Sequence, residues 1–288
     1  MAPAFQAPAK INLTLEVLAR RDDGFHGIRS VMVPLDLADE LTIEPSDRFS
    51  FECDLEALGG DDNLAVRAAR ALGALPPCRL KLRKRIPVHA GLGGGSSDAA
   101  TVLRAAMAGQ FGSPAPQDWP RIARLLGSDV PFFLAGTGAL VEGTGERVTP
   151  AGALPPWHAL VVKPPVGVST AAAYAELDKR QRSIRPRGTS VSLAMLAALQ
   201  RGSFEEVEAL MHNDFQDAIA EHSAPVARAL DALKAAGAKN PLLAGSGSCV
   251  FALAAERTAI ESLLQRLALP HDYQRFPTAF AGTPDWRA

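Results

Sequence analysis

Cysteine is scarce. Cys53, Cys78 and Cys249 are the only three in 288 residues, odd in number and far apart. They form no disulfide framework and no metal-ligand spacing, so the expected compartment is a reducing cytoplasm. Net charge is nearly absent as well, at −1. No broad basic field favours nucleic acid, and no acidic tail suggests a solvating segment. The one dense basic cluster, "KLRKR" at 81–85, reads alone as the polar face of a strand. No run approaches the ~20 apolar residues of a membrane span. Residues 1–20 carry Lys10, Glu16 and Arg20 and lack the unbroken apolar core of a signal peptide. There is no repeat and no low-complexity tract. The expectation is a soluble intracellular protein. Its 47% hydrophobic content is enough for one large domain or two ordinary ones.

The first regular pattern is "KINLTLEVL" at 10–18. Ile11, Leu13, Leu15 and Val17 alternate with Lys10, Asn12, Thr14 and Glu16, which predicts a strand with one buried and one solvated face. The turn-rich "RRDDGFHG" follows, then strands in "IRSVMVPLDL" and "DELTIEP". "DNLAVRAARALG" predicts a helix capped by Asp61 or Asp62, and "CRLKLRKRIPV" returns to strand. Residues 119–148 predict a helix, a turn and a hairpin. "PAGALPP" at 150–156 is the candidate boundary, dividing the chain into 1–153 and 154–288. The second half opens with the strand "WHALVVKPP", a short helix around "STAAAYAELDK" and a basic loop, "RSIRPRG". Helices follow at about 203–220 and 225–236, the second ended by Gly237. "PLLAGSGSCVFALAA" is a glycine turn and a strand. A last helix carries Ile260, Leu263, Leu264 and Leu267 on one face. Strands and helices mix irregularly, which predicts an α+β chain in two layers.

Chemistry concentrates in "PVHAGLGGGSSDAATVLRAAMAG", which begins at Pro87. Four of the five residues from Gly91 to Gly95 are glycine, directly before a helix that places Ala99, Val102, Leu103 and Ala106 on one face. Glycine packs nothing, and close approach of backbone to a ligand is one reason to cluster it. Uncovered N–H groups can converge on phosphate oxygens. Ser96, Ser97 and Asp98 offer an N-cap, and the helix N-terminus adds partial positive charge. Pro87, Val88, His89, Ala90, Gly91, Leu92, Gly93, Gly94, Gly95, Ser96 and Ser97 are therefore the candidate cradle for a nucleotide triphosphate. The stretch is not a Walker loop, since no Gly-Lys-Ser/Thr follows, nor a dinucleotide fingerprint, since Ser96 holds the last glycine place. The alternative is a tight strand-to-helix turn. "AGSGSCVF" at 244–251 reads alone as a turn, and gains weight if it folds against the first loop.

Three further sites carry two readings each. Lys10 and Asn12 share one strand face, either solvated or lining a site. Asp129, in "LLGSDVPFFL", is either a turn or capping aspartate, or a partly buried base or charge partner. Phe25 and His26 lie in "DDGFHGIRS". They could stack on a base and bond its edge; alternatively, Phe25 anchors the loop and His26 is solvated. The remaining histidines show no metal spacing.

In this order the pieces resemble the small-molecule kinase superfamily of galactokinase, homoserine kinase, mevalonate kinase and phosphomevalonate kinase. "PVHAGLGGGSSDAA" is similar to its phosphate loop and "AGSGSCVF" to its late glycine motif. "APAKINLTLEVLARRDDGFHGIRSV", "GSDVPFFLAGTGALVEGTGE" and "HNDF" at 212–215 resemble one branch, the 4-diphosphocytidyl-2-C-methyl-D-erythritol kinase family. The resemblance spans nearly the whole chain. It implies a two-domain α+β fold, with a mixed-sheet amino-terminal domain and a ferredoxin-like carboxy-terminal one. The implied activity is ATP- and Mg²⁺-dependent phosphorylation of the 2-hydroxyl of that small-molecule substrate. Lys10 and Asp129 match the family's catalytic pair, Pro87 to Ser97 its ATP loop, and Phe25 and His26 a cytidine-binding pair that is usually Tyr-His. Asn12 is expected to contact substrate. No nucleic acid or membrane partner is expected. The rival readings are a sister kinase for another alcohol, whose substrate needs no base stack, and a nucleotide sensor without catalysis.

Overall fold

A computed structural model describes residues 4–20, 24, 26–73, 77–111, 118–179 and 190–282. Phe25 and the "RSIRPRG" loop lie outside the described residues. In chain order the elements are β1 (Ala4–Asn12), β2 (Thr14–Arg20), β3 (His26–Pro45), β4 (Ser50–Cys53), α1 (Leu64–Ala71), β5 (Cys78–Arg83), α2 (Gly94–Met107), α3 (Trp119–Leu126), α4 (Val130–Ala135), β6 (Ala139–Gly143) and β7 (Arg147–Pro150). Then come β8 (His158–Lys163), α5 (Thr170–Lys179), α6 (Val191–Arg201), α7 (Phe204–Leu210), β9 (His212–Asn213), α8 (Gln216–His222), α9 (Ala224–Ala235), β10 (Leu242–Leu243), β11 (Val250–Ala254), α10 (Arg257–Arg266) and β12 (Gln274–Ala279).

The expected pair of strands at 28–45 is one 20-residue strand, β3, and it organises the first sheet. Along its length β3 pairs antiparallel with β1, β2, β5 and β6. β4 joins β5 in parallel and β7 closes the β6 hairpin. The sheet is therefore mixed, and its far edge is β9, a two-residue strand from the second half of the chain that runs parallel to β2. The second sheet is antiparallel throughout, in the order β10-β11-β8-β12. Read from β8, the strands and the helices between them give the β-α-β-β-α-β ferredoxin-like arrangement. β8 and β11 are its central strands. Their cores, Ala159–Val162 and Val250–Ala254, are buried without alternation, as strands covered on both faces require.

Both sheets share a core. Ile11, Val31 and Val33 from the first pack in one cluster with Val161 and Phe251 from the second, and with Met195 and Leu199 of α6. Phe280 ties the end of β12 to Leu35 on β3.

Several local expectations are corrected. "KINLTLEVL" is two strands with a break at Leu13, and both faces are buried from Ala7 to Glu16. The break also switches faces: Lys10 and Asn12 look into a cleft, whereas Thr14 and Glu16 are covered by α6, a helix not expected from the sequence. Thr14 bonds Ser192 Oγ at 2.8 Å, and Glu16 accepts from Ser190 Oγ at 2.5 Å and from Ser192 N at 3.0 Å. The cap of α1 is Asn63, not Asp61 or Asp62; its Oδ1 accepts from Ala65 N at 2.9 Å. The single helix expected at 203–220 is broken at 211–215, where the chain extends to form β9.

Candidate active site

The glycine stretch joins the end of β5 to α2. Gly91 and Gly93 have φ of 76° and 73°, the left-handed region that favours glycine. α2 starts at Gly94 with Gly93 as its cap residue, so Ser96, Ser97 and Asp98 lie inside the helix and do not cap it. Ser97 N is the first to find a helical acceptor, Gly93 O at 2.9 Å. The N–H groups of Gly94, Gly95 and Ser96 precede that bond, at the positive end of a fourteen-residue helix. Pro87 to Ser96 line a cleft of about 640 Å³. Ser97 is buried and is not among the residues lining the cleft, and its Oγ has no hydrogen-bond partner.

The second glycine loop does fold against the first. Cys249 N donates to Ala90 O at 3.1 Å. A Cβ on Gly91 would sit 1.9 Å from Ala244 O, and one on Gly245 would sit 2.8 Å from Gly91 O. The "HNDF" segment holds this loop in place. Asn213 Nδ2 donates to Leu243 O at 2.7 Å and to Gly245 O at 2.8 Å.

Lys10 lies where the loops cross. Its backbone N–H bonds Leu92 O at 3.0 Å. Its Nζ donates to Asn12 Oδ1 and to Gly91 O, both at 2.8 Å, and lies 3.6 Å from Asp129 Oδ2. Asn12 is held in turn by Ser30 Oγ at 2.8 Å. The register of β1 against β3 shifts between Pro8 and Lys10, an irregularity that re-aims a side chain. Asp129 occupies the cap position of α4, yet its carboxylate makes no capping bond and points to Lys10. The Lys10 side chain is 5% exposed and that of Asp129 is 25% exposed, so the carboxylate is the member of the pair open to the cleft.

His26 is not solvated. Its Nδ1 faces Leu18 O at 3.0 Å and its Nε2 faces Asp178 at 3.0 Å. Its ring stacks on Tyr174, with centroids 5.4 Å apart and an interplanar angle of 18°. Tyr174 also meets Phe215 edge-on at 4.9 Å. Burial, with the Asp129 charge nearby, pushes its hydroxyl up to about 12. A second cleft of about 870 Å³ contains His26, Arg20 and Arg124, and it shares Ile28, Ser128, Thr170 and Tyr174 with the first. Sequence reading missed Tyr174, a lone aromatic in an alanine-rich helix.

Lys84 corrects the reading of "KLRKR". It is buried between Asp39 Oδ2 at 2.5 Å and Asp98 Oδ2 at 2.7 Å. Burial, with Asp39 close by, pushes the Asp98 carboxyl up to about 7 despite the Lys84 charge.

Comparison with known proteins gives the family. Residues 63–137 match the GHMP kinases N terminal domain, and residues 195–270 match the GHMP kinases C terminal family. A 4-diphosphocytidyl-2-C-methyl-D-erythritol kinase from Deinococcus radiodurans is 41% identical over 269 residues, covering 91% of this chain and 87% of its own. The chain belongs to the 4-diphosphocytidyl-2-C-methyl-D-erythritol kinase family. A second member, from Symbiobacterium thermophilum, is 40% identical, with 90% of this chain and 93% of its own covered. A crystal structure of a 4-(cytidine 5'-diphospho)-2C-methyl-D-erythritol kinase superposes with a TM-score of 0.77 at 38% identity, covering 97% of this chain and all 100% of that one. A homoserine kinase from Cytophaga hutchinsonii shares the fold at a TM-score of 0.66 and 18% identity. The chain is thus a kinase that uses ATP. Among the described residues, no helix is long and apolar enough to cross a membrane.

Gly91→Ala tests the loop crossing. The added Cβ cannot coexist with Ala244 O at 1.9 Å, so the two loops must part. ATP affinity is expected to fall at least ~10-fold, about 1.4 kcal/mol, by calorimetry on a variant with native circular dichroism. Unchanged affinity in the folded variant would remove the crossing from the nucleotide site.

Proposed function

We propose that the chain transfers the γ-phosphoryl group of ATP to the 2-hydroxyl of 4-diphosphocytidyl-2-C-methyl-D-erythritol, in non-mevalonate isoprenoid precursor synthesis. One observation carries this reading: the Lys10–Asp129 pair lines the glycine cleft, and Ser128, next to Asp129, is shared with the cleft of His26 and Tyr174. ATP occupies the first cleft and the cytidylyl substrate the second, so the pair lies between donor and acceptor. We also propose the cytoplasm as its location and 1–153 and 154–288 as two working units, the first binding ATP and the second ferredoxin-like.

Phosphoryl transfer demands positioning and charge neutralisation more than covalent chemistry. The N–H groups of the loop and of the first turn of α2 face the phosphates. Asp129 accepts the proton of the attacking hydroxyl, a role that suits its open carboxylate. Lys10 holds Asp129 in place and offsets charge developing on the transferring group. Asn12 fixes Lys10 and, in this reading, reaches the substrate.

Mg²⁺ belongs to the proposal. Such an ion takes most of its ligands from phosphate and water and needs only one or two protein oxygens. Ser97 Oγ, buried without a partner, and Asp129 fit that need. Bound Mg²⁺ would neutralise charge on the β- and γ-phosphates.

For the acceptor, Tyr174 supplies the aromatic ring that the alanine-rich helix hid, and its stack on the His26 ring extends that aromatic surface. Product formation from ATP should be efficient with 4-diphosphocytidyl-2-C-methyl-D-erythritol and weak with methylerythritol phosphate, homoserine or mevalonate. Equal turnover of methylerythritol phosphate would overturn the base-stacking reading. Tyr174→Ala should weaken binding of the cytidylyl substrate by roughly 1–3 kcal/mol, the usual worth of a base–aromatic stack. ATP affinity should change little, and titration of each ligand separately checks both.

A further inference from the structure

We propose that Lys84, Asp39 and Asp98 are positioning residues that hold the two ends of the nucleotide loop at a fixed separation. The inference rests on the assignment of that loop to ATP. The three side chains are 4%, 0% and 1% exposed, so none is a surface ion pair. Their connections converge on one point of β3. Asp39 Oδ1 accepts from Arg85 N at 2.6 Å and from Ile86 N at 2.8 Å, which pins the backbone just before Pro87. Asp39 Oδ2 accepts from Lys84 Nζ, which reaches across the loop to Asp98 in α2. The gap so closed is narrow: a Cβ on Gly94 would lie 3.1 Å from Ile86 Cγ2 and 3.4 Å from Asp39 Oδ2.

A packed apolar contact could close a loop more simply, and a buried ion cluster carries a large desolvation cost. What the charges add is direction. Each bond is charge-assisted and short, and Lys84 Nζ is held by carboxylates from two elements, β3 and α2. The glycines between Pro87 and Ser96 have no side chains to fix their own path. Ends held in this way keep the intervening N–H groups aimed before ATP arrives, which lowers the ordering cost of binding. Loss of the cluster should therefore be felt in ATP affinity first, and in the chemical step only weakly.

The charges acting on Asp98 are those of Lys84 and Asp39. Behind Lys84 lie Cys53 and Asp54, and Asp54 Oδ1 accepts from Lys84 N at 2.9 Å. α1 packs against α2 with uncharged residues, Ala65, Val66, Ala68 and Ala69. From β1, Lys10 is engaged with Asn12, Gly91 and Asp129.

Asp98→Asn keeps the shape and removes the charge. Its KM for ATP should rise about tenfold, the worth of one charge-assisted bond. kcat should fall less than about threefold, and KM for the cytidylyl substrate should hold. Should Asp98→Asn fail to fold, the variant Lys84→Met with Asp39→Asn and Asp98→Asn leaves no buried charge and is read the same way. A folded variant with a lower thermal midpoint but an unchanged ATP KM would overturn the inference and leave the cluster purely structural. A wild-type protein that does not phosphorylate 4-diphosphocytidyl-2-C-methyl-D-erythritol would instead overturn the proposed function, a result visible before any variant is made.

Discussion

A buried ammonium must be satisfied on every side, and much of this molecule is arranged around that requirement at Lys10. Removing a charge from water is costly unless it is paired and hydrogen-bonded. Lys10 meets the condition with a side-chain amide on its own strand, a carbonyl of the first glycine loop and a carboxylate at the start of α4. Each partner comes from a different part of the chain. Their convergence ties β1, the nucleotide loop and the Asp129 segment to one point. The neighbouring polar residues obey the same rule: Asn12 on Ser30, Thr14 on Ser192 and Glu16 on Ser190. The polar side chains of β1 and β2 are thus all bonded, and Asp129, the partner of Lys10 from α4, is the member open to the cleft.

Close backbone approach is the second constraint. The two glycine loops cross within the space that a single Cβ would fill, at Gly91 against Ala244 and at Gly245 against Gly91. Asn213 fastens the later loop from below through Leu243 and Gly245. A site shared by two sheets therefore rests on contacts that only small residues permit. The common apolar seam of Ile11, Val33, Val161 and Phe251 keeps those contacts in register.

Much of this was legible in the chain. The glycine run, the alanine face of its helix and the lone carboxylate among apolar residues announced themselves by composition and spacing. The α+β class followed from the mixture of periods. The alternation at 10–16 grouped Lys10, Asn12, Thr14 and Glu16 on one face, but the break at Leu13 leaves Lys10 and Asn12 on the cleft side and turns Thr14 and Glu16 to the side of α6. Nor could the alternation show that α6, nearly two hundred residues later, covers Thr14 and Glu16. Lys84 read as solvated because its two carboxylates, Asp39 and Asp98, arrive from β3 and α2 only on folding. Tyr174 carried no signal, since its stacking partner His26 is distant in sequence. The break at His212–Asn213 escaped helical periodicity because pairing with β2 outweighs local propensity there.

The central claim is that Lys10 and Asp129 act as one unit at the point of transfer, and a double-mutant cycle on kcat tests it most directly. Lys10→Ala and Asp129→Asn should each lower kcat by on the order of 10²–10⁴. The double variant should be little worse than either single one, because residues acting together are not additive. Additive losses, or near-normal turnover in Asp129→Asn, would contradict the account and leave Asp129 as a turn residue beside an ion pair.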